Sequence, residues 1–146
     1  MGVISGGTTL MDNGALDAAV PTGSLILLST QTASASASIE FTSGIDSTYD
    51  SYVFKFIDIH PATDLVDLTF QGSTDGGSTY GVTTTNSTFR ARHDEADTTA
   101  NLSYITGDDL AQSTGFINLS VGGNIGNAAD ECEAGTLQIF QPSSNT

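Results

Sequence analysis

The sequence predicts an all-β protein: an antiparallel β-sandwich of jelly-roll type, preceded by an extended, glycine-rich N-terminal arm. Apolar and polar side chains alternate in several short segments, which is typical of strands with one wet face. Turn residues separate these segments at the spacing that sandwiches show. Residues 10–20 have the composition of a short helix but are interrupted by Gly14, and between the later strands only residues 108–112 offer a helical turn. Alternation, frequent turns and scarce helix therefore favour the all-β class.

The predicted arm covers residues 1–22. Glycine occurs at positions 2, 6, 7 and 14 and proline at position 21, with scattered apolar residues between them, so the arm cannot build its own core. Such a segment either frays, as termini commonly do, or becomes ordered against a neighbouring subunit. In the second case the apolar side chains would be buried there: Val3, Ile4, Leu10, Met11, Leu16 and Val20.

Residues 23–146 form the predicted sandwich domain. Its first strand covers residues 24–31, and residues 33–42 alternate completely between apolar and polar side chains. Residues 51–59 are mostly apolar on both faces, which predicts a central strand. Lys55 interrupts that strand where a charge is costly, so we expect it to reach a carboxylate or a subunit boundary.

The second half of the domain continues as short strands joined by turns. Residues 65–71 alternate and lead to Asp75-Gly76, a strong hairpin signal. Further strands are predicted at residues 79–84, 88–93, 101–105, 116–121 and 135–140. The total of about nine short strands suits a sandwich or jelly roll.

The charge balance excludes one class of function and indicates a surface. The 146-residue chain carries a formal net charge of −14, because 17 acidic residues face only Lys55, Arg90 and Arg92. A nucleic-acid groove needs many more cations, so that class is excluded. No apolar run approaches the length of about 18 residues that a membrane helix needs. Since the remaining surface should repel copies of itself, the three cations are predicted subunit contacts.

The sequence contains no recognisable catalytic machinery. Nucleophile elbow, phosphate-binding and dinucleotide-binding motifs are all absent from it. We therefore expect no enzyme, no catalytic residues and no bound cofactor. Cys132, the single cysteine, is expected to be a small packed or half-exposed thiol.

The histidines and the acidic clusters are expected to have structural roles. Neither His60 nor His93 has a second histidine at ligand spacing, which favours capping and ion pairing over metal binding. Three acidic clusters, at 94–97, 108–109 and 130–133, offer oxygen ligands that would suit Ca²⁺. No calcium-loop motif accompanies them, so a solvated acidic face is the favoured interpretation.

Several segments resemble a family of structural proteins of tailed bacteriophages, mainly aquatic ones. The similar segments cover residues 21–34, 41–49, 59–64, 73–80, 89–91 and 141–144. The resemblance implies a β-rich module in a phage appendage or on the capsid surface, synthesised in the host cytoplasm. Such proteins commonly continue beyond the Pro-Ser-Ser segment, so either this member is short or the sequence is a fragment of a longer fibre or shell protein. In the second case the sandwich lacks strands, and a neighbour would cover an exposed edge after Phe140.

Two functions remain open at the level of sequence. The first is a non-enzymatic virion structural protein, either a tail fibre or tail-tip component or a capsid decoration protein, anchored through its arm to other virion proteins and copies of itself. Its acidity favours the outside of the particle. The second is a carbohydrate-binding sandwich, with or without Ca²⁺, that meets a host surface glycan through Tyr49, Tyr80 or Tyr104.

Overall fold

The protein is all-β with antiparallel pairing, which confirms the predicted class. The computed structural model describes residues 3–5, 8–12, 15–16, 25–121 and 124–143. The chain divides into two compact units, Met1–Thr32 and Ala33–Thr146.

In the first unit three short strands form one antiparallel sheet. They are β1 (Val3–Ser5), β2 (Thr8–Asp12) and β3 (Ala15–Leu16). Met11 in β2 pairs with Val3 on one side and with Leu16 on the other. The segment expected to be a plain extended arm thus folds back on itself twice. Of its predicted contacts, Val20 lies outside the described residues.

The described residues of the second unit form four separate pairs of strands: β4 with β11, β5 with β10, β6 with β9, and β7 with β8. The strands are β4 (Ser51–Ile59), β5 (Thr69–Phe70), β6 (Thr84–Asn86), β7 (Phe89–His93), β8 (Ala100–Tyr104), β9 (Leu110–Ser113), β10 (Ile117–Asn118) and β11 (Glu133–Phe140). A 3₁₀ turn, Thr106–Asp108, precedes β9. The predicted strands at 51–59, 88–93, 101–105 and 135–140 correspond to β4, β7, β8 and β11.

The two strands predicted earliest in the domain are wrong. Residues 25–31 and 33–42 have no strand assignment, and Leu27 is 82% exposed. Alternation specifies which side chains share a face, but a strand also needs a partner whose side chains pack against it. The Ala-Ser alternation at 33–38 offers little apolar area for such packing.

Three further predictions were too long or misplaced. Within residues 65–71 and 116–121 only β5 and β10 form a strand ladder, apart from an isolated bridge at Val66, and the strand expected at 79–84 starts at Thr84. The helical turn expected at 108–112 lies earlier, because Leu110 pairs with Asn86 in the β6–β9 ladder.

The β4–β11 pair holds the best-buried aromatic side chain of the described residues. Tyr52 is 5% exposed and pairs with Ile139 across the ladder. Next to it, Phe54 meets Phe41 edge-on at a centroid distance of 5.4 Å. The strand is not central as predicted, since among the described strands it pairs with β11 alone. On the other face of β4, Lys55 and Ile57 are exposed to solvent, so the charge of Lys55 is not buried as the prediction assumed.

The buried residues Ser120 and Ile125 connect the region of β5 and β10 to the start of β11. Ser120, 7% exposed, accepts a hydrogen bond from the Leu68 amide at 2.8 Å and donates one to Glu133 Oε2 at 2.6 Å. Ile125, 8% exposed, forms a β-bridge with Val66. These contacts fix the chain just before β11, where Cys132 lies.

Candidate functional site

The β7–β8 hairpin presents apolar side chains to solvent. Phe89 lies opposite Tyr104, and Ala91 lies opposite Leu102. Because alternate residues of a strand share a face, these four side chains lie on one face of the hairpin. Phe89 is 72% exposed, Leu102 73% and Tyr104 61%. We call this surface the hairpin face; its residues are Phe89, Ala91, His93, Ala100, Leu102 and Tyr104.

The opposite side of the hairpin is the more buried one. Arg90 and Ser103 form a register pair there, and both are half-buried. A surface hairpin ordinarily turns its apolar face toward the core and its polar face toward water. Here the order is reversed, and none of the six residues of the hairpin face is a carboxylate. The centre of the face, at Phe89, Ala91 and Leu102, is therefore uncharged, and the carboxylates of Asp97 and Asp109 border it at His93 and Tyr104.

Side-chain hydrogen bonds fix the base of the hairpin to β6 and β9. Asp109 accepts a hydrogen bond from the amide of Thr88, which is 7% exposed, at 2.9 Å. The same carboxylate accepts the Tyr104 hydroxyl, and this bond raises the pKa of Tyr104. Asn86 accepts from the Leu110 amide at 2.7 Å and donates to the Asp108 carbonyl at 3.1 Å. Asp108 and Asp109 thus connect the end of β6 and the end of β8 to the chain just before β9.

Asp94 organises the tip of the same hairpin. One of its oxygens accepts the Thr98 and Thr99 amides at 2.8 and 2.9 Å, and the other accepts the Thr98 hydroxyl at 2.6 Å. These bonds stabilise the charged carboxylate and lower the pKa of Asp94 to about 2. His93 makes an ion pair with Asp97 at 2.9 Å when protonated.

Asp75 organises the predicted turn in a similar way. Its carboxylate accepts the Ser73 hydroxyl at 2.7 Å and the Thr79 amide at 2.8 Å, which lowers the pKa of Asp75 to about 2. Gly77 has a φ of 86°, and a Cβ there would lie 2.6 Å from Thr42 Cγ2. The loop closes where the Gly81 amide donates to the Gly72 carbonyl at 3.1 Å.

Both loops are expected to weaken only in strong acid. Since the folded pKa of Asp75 and Asp94 lies below the ordinary value of 3.8, their stabilisation is complete above about pH 4 and is lost as the pH falls through about 2. Carbon-detected NMR titration of the carboxyl groups should give both midpoints near pH 2. Thr98→Val removes a donor and should raise the midpoint of Asp94 alone; midpoints near 4 for both groups in the wild type would contradict these roles.

The remaining acidic cluster also bonds to the chain itself. Glu131 accepts the Ala128 amide at 3.1 Å, and Glu133 accepts the Ser120 hydroxyl. In all three predicted clusters, carboxylates therefore bond to nearby amides, hydroxyls or a histidine. These contacts explain why acidic residues concentrate at turns and strand ends.

His60 lies in a second cluster, which sequence reasoning missed. Its Nε2 lies 3.0 Å from Asp58 Oδ1, so the expected ion pairing is found when His60 is protonated. Donor atoms of Asp58, His60 and Cys132 all lie within 4.8 Å of one another, and the three residues are exposed. Spacing along the chain could not reveal this group, because Cys132 is distant in sequence and approaches through the β4–β11 pairing.

The three candidate sugar-binding tyrosines have different surroundings. Tyr49 is half-buried and meets Tyr52 edge-on at 5.9 Å. Tyr80 is 39% exposed, and desolvation together with the nearby Glu40 raises its pKa. Tyr104 belongs to the hairpin face.

Two shallow cavities lie elsewhere in the second unit. One, of about 350 Å³, is lined by residues around Ser120, Ile125 and Cys132. The other, of about 380 Å³, lies beside Tyr49 and Pro142. Among the described residues, no helix has the length and apolarity to span a membrane. Comparison with protein-family models, with curated proteins and with solved structures finds no match to this chain.

Proposed function

We propose that this chain is a non-enzymatic structural subunit on the outside of a tailed-bacteriophage particle, as a tail fibre or tail-tip component or as a capsid decoration protein. The phage resemblance of the sequence suggests the setting. The observation that carries the structural role is the reversed β7–β8 hairpin, whose apolar face is exposed in the single chain. A chain of this kind completes its apolar contacts in an assembly.

The extent of exposed surface supports a subunit role. Among the described residues, exposed large apolar side chains outnumber buried ones. Contiguous exposed apolar patches commonly mark interaction sites.

A second copy of this chain is the partner that fits the hairpin face. In a two-fold contact the same patch meets itself, so charges of one sign on the patch would be brought close to the same charges of the partner. Because a chain with net charge −14 repels copies of itself, a patch whose own residues include no carboxylate is a favourable surface for self-association, and the hairpin face is such a patch. Arg92 is exposed on the opposite side of β7, where it can meet acidic groups of another neighbouring subunit.

The first unit is proposed to anchor the chain to other virion proteins. Deleting residues 1–22 should leave the second unit folded, because all four of its strand pairs lie after residue 50. The same deletion should abolish incorporation into particles. Incorporation is measured by quantifying the protein in purified particles, and circular dichroism of the deleted chain checks its fold.

Electron microscopy of labelled particles distinguishes the two proposed positions. A symmetric pattern over the shell would indicate a decoration protein, and label at the tail would indicate a fibre or tip component. Normal incorporation of the deleted chain would refute anchoring, and label confined to the particle interior would refute the outer position.

A further inference from the structure

We propose that Asp58, His60 and Cys132 form a binding site for Zn²⁺ at the end of the β4–β11 ladder. The donor atoms of the three side chains lie within 4.8 Å of one another. Carboxylate oxygen, imidazole nitrogen and thiolate sulfur are the three donor types that bind zinc in proteins. The inference concerns a part of the chain that the proposed assembly through the hairpin face does not use.

The strand pairing explains why these residues converge. Ile59 pairs with Glu133 at the end of the ladder, and His60 and Cys132 are the chain neighbours of these two residues just beyond it. Asp58 lies on the other side of Ile59, and its Oδ1 is 3.0 Å from His60 Nε2. The approach of Cys132 is held by Ser120, which bonds both to Glu133 and to the Leu68 amide. The site therefore rests on long-range pairing.

The separations suit zinc after small side-chain rotations. Tetrahedral coordination with ordinary zinc bond lengths separates ligand atoms by about 3.3 to 3.6 Å. The described donors need adjustments of about 1 Å to reach this geometry, and all three residues are exposed, so their side chains can rotate. Exposure also leaves room for a water molecule as the fourth ligand.

The donor set does not suit Ca²⁺, which the acidic clusters of the sequence had suggested. Ca²⁺ and Mg²⁺ require oxygen ligands, whereas thiolate and imidazole favour zinc and related transition metals. On binding, the Cys132 thiol releases its proton to solvent and the sulfur coordinates the metal. His60 binds as the neutral imidazole, and its contact with Asp58 is replaced by a shared metal ion. No change of oxidation state is involved.

The single cysteine makes the site directly testable in the full chain. Zn²⁺ should slow alkylation of Cys132 about tenfold or more, measured by mass spectrometry after metal removal and addition of Zn²⁺ alone. Co²⁺ used as a probe should give a thiolate-to-cobalt charge-transfer band and tetrahedral visible bands. Cys132→Ser should abolish the charge-transfer band.

A matched pair of variants separates the site from general cation binding by an acidic chain. His60→Ala should remove the protection of Cys132, whereas His93→Ala should retain it, because His93 has an equivalent aspartate contact at 2.9 Å without the thiol. Circular dichroism confirms that each variant is folded. Two results would overturn the proposal. One is that Zn²⁺ does not protect Cys132 from alkylation in the wild type, and the other is that the protection is unchanged in His60→Ala.

Discussion

Tyr52→Ala is expected to destabilise the second unit by about 3 to 5 kcal/mol, the usual cost of removing a large buried aromatic side chain. Tyr52 is 5% exposed and packs edge-on against Tyr49. Its hydroxyl accepts the Asp46 amide at 3.0 Å and donates to the Asp46 carbonyl at 2.9 Å. The side chain therefore ties the loop before β4 to the β4–β11 ladder, and few other described side chains are equally buried.

Urea unfolding followed by far-ultraviolet circular dichroism measures this effect, since the chain has no tryptophan. Tyr52→Phe keeps the ring and loses the hydroxyl, so it should cost only about 1 kcal/mol. Phe140→Ala, in the paired strand but 68% exposed, should change stability by about 0.5 kcal/mol or less. Equal effects of Tyr52→Ala and Phe140→Ala would show that stability does not centre on Tyr52.

The strands that were predicted well combine alternation with bulky or β-branched side chains. Residues 51–59 contain Tyr, Val, Phe and Ile, and β4 has the predicted bounds. Residues 33–42 alternate as regularly but consist largely of Ala and Ser in their first half, and they form no strand. Periodicity describes one chain segment, whereas a ladder needs two that pack together. Sequence reasoning found the class and four strands, but not which segments lack a partner.

Functional features were harder to predict because they depend on orientation. The alternation at 89–93 places Phe89 and Ala91 on one face, but the sequence does not reveal that this face points outward. The outward orientation is seen only in the folded chain, where Phe89 is 72% exposed and the Thr88 amide bonds to Asp109 at the base of the hairpin. The approach of His60 to Cys132 depends in the same way on pairing across the fold. Asp75 and Asp94, by contrast, bond to residues that are close to them in the sequence, such as Thr79 and Thr99.

Leu102→Asp is expected to weaken self-association of the chain by about 100-fold or more. Leu102 is 73% exposed and lies opposite Ala91 in the middle of the hairpin face. In a two-fold contact the substitution places a carboxylate on each of two facing patches, so like charges are brought together and desolvated. Because Leu102 is exposed in the single chain, the fold itself should tolerate the change.

Analytical ultracentrifugation across a range of protein concentrations measures the association, with circular dichroism as the check on folding. Leu65→Asp is the matched control: Leu65 is 67% exposed, lies outside the hairpin face, and has a φ of 57° that aspartate accepts readily. It adds the same charge to the chain and should leave association within about twofold of wild type. If both variants weaken assembly equally, net charge controls association; if neither does, copies meet through another surface. Loss confined to Leu102→Asp would identify the hairpin face as the contact, because only position and not charge distinguishes the two variants.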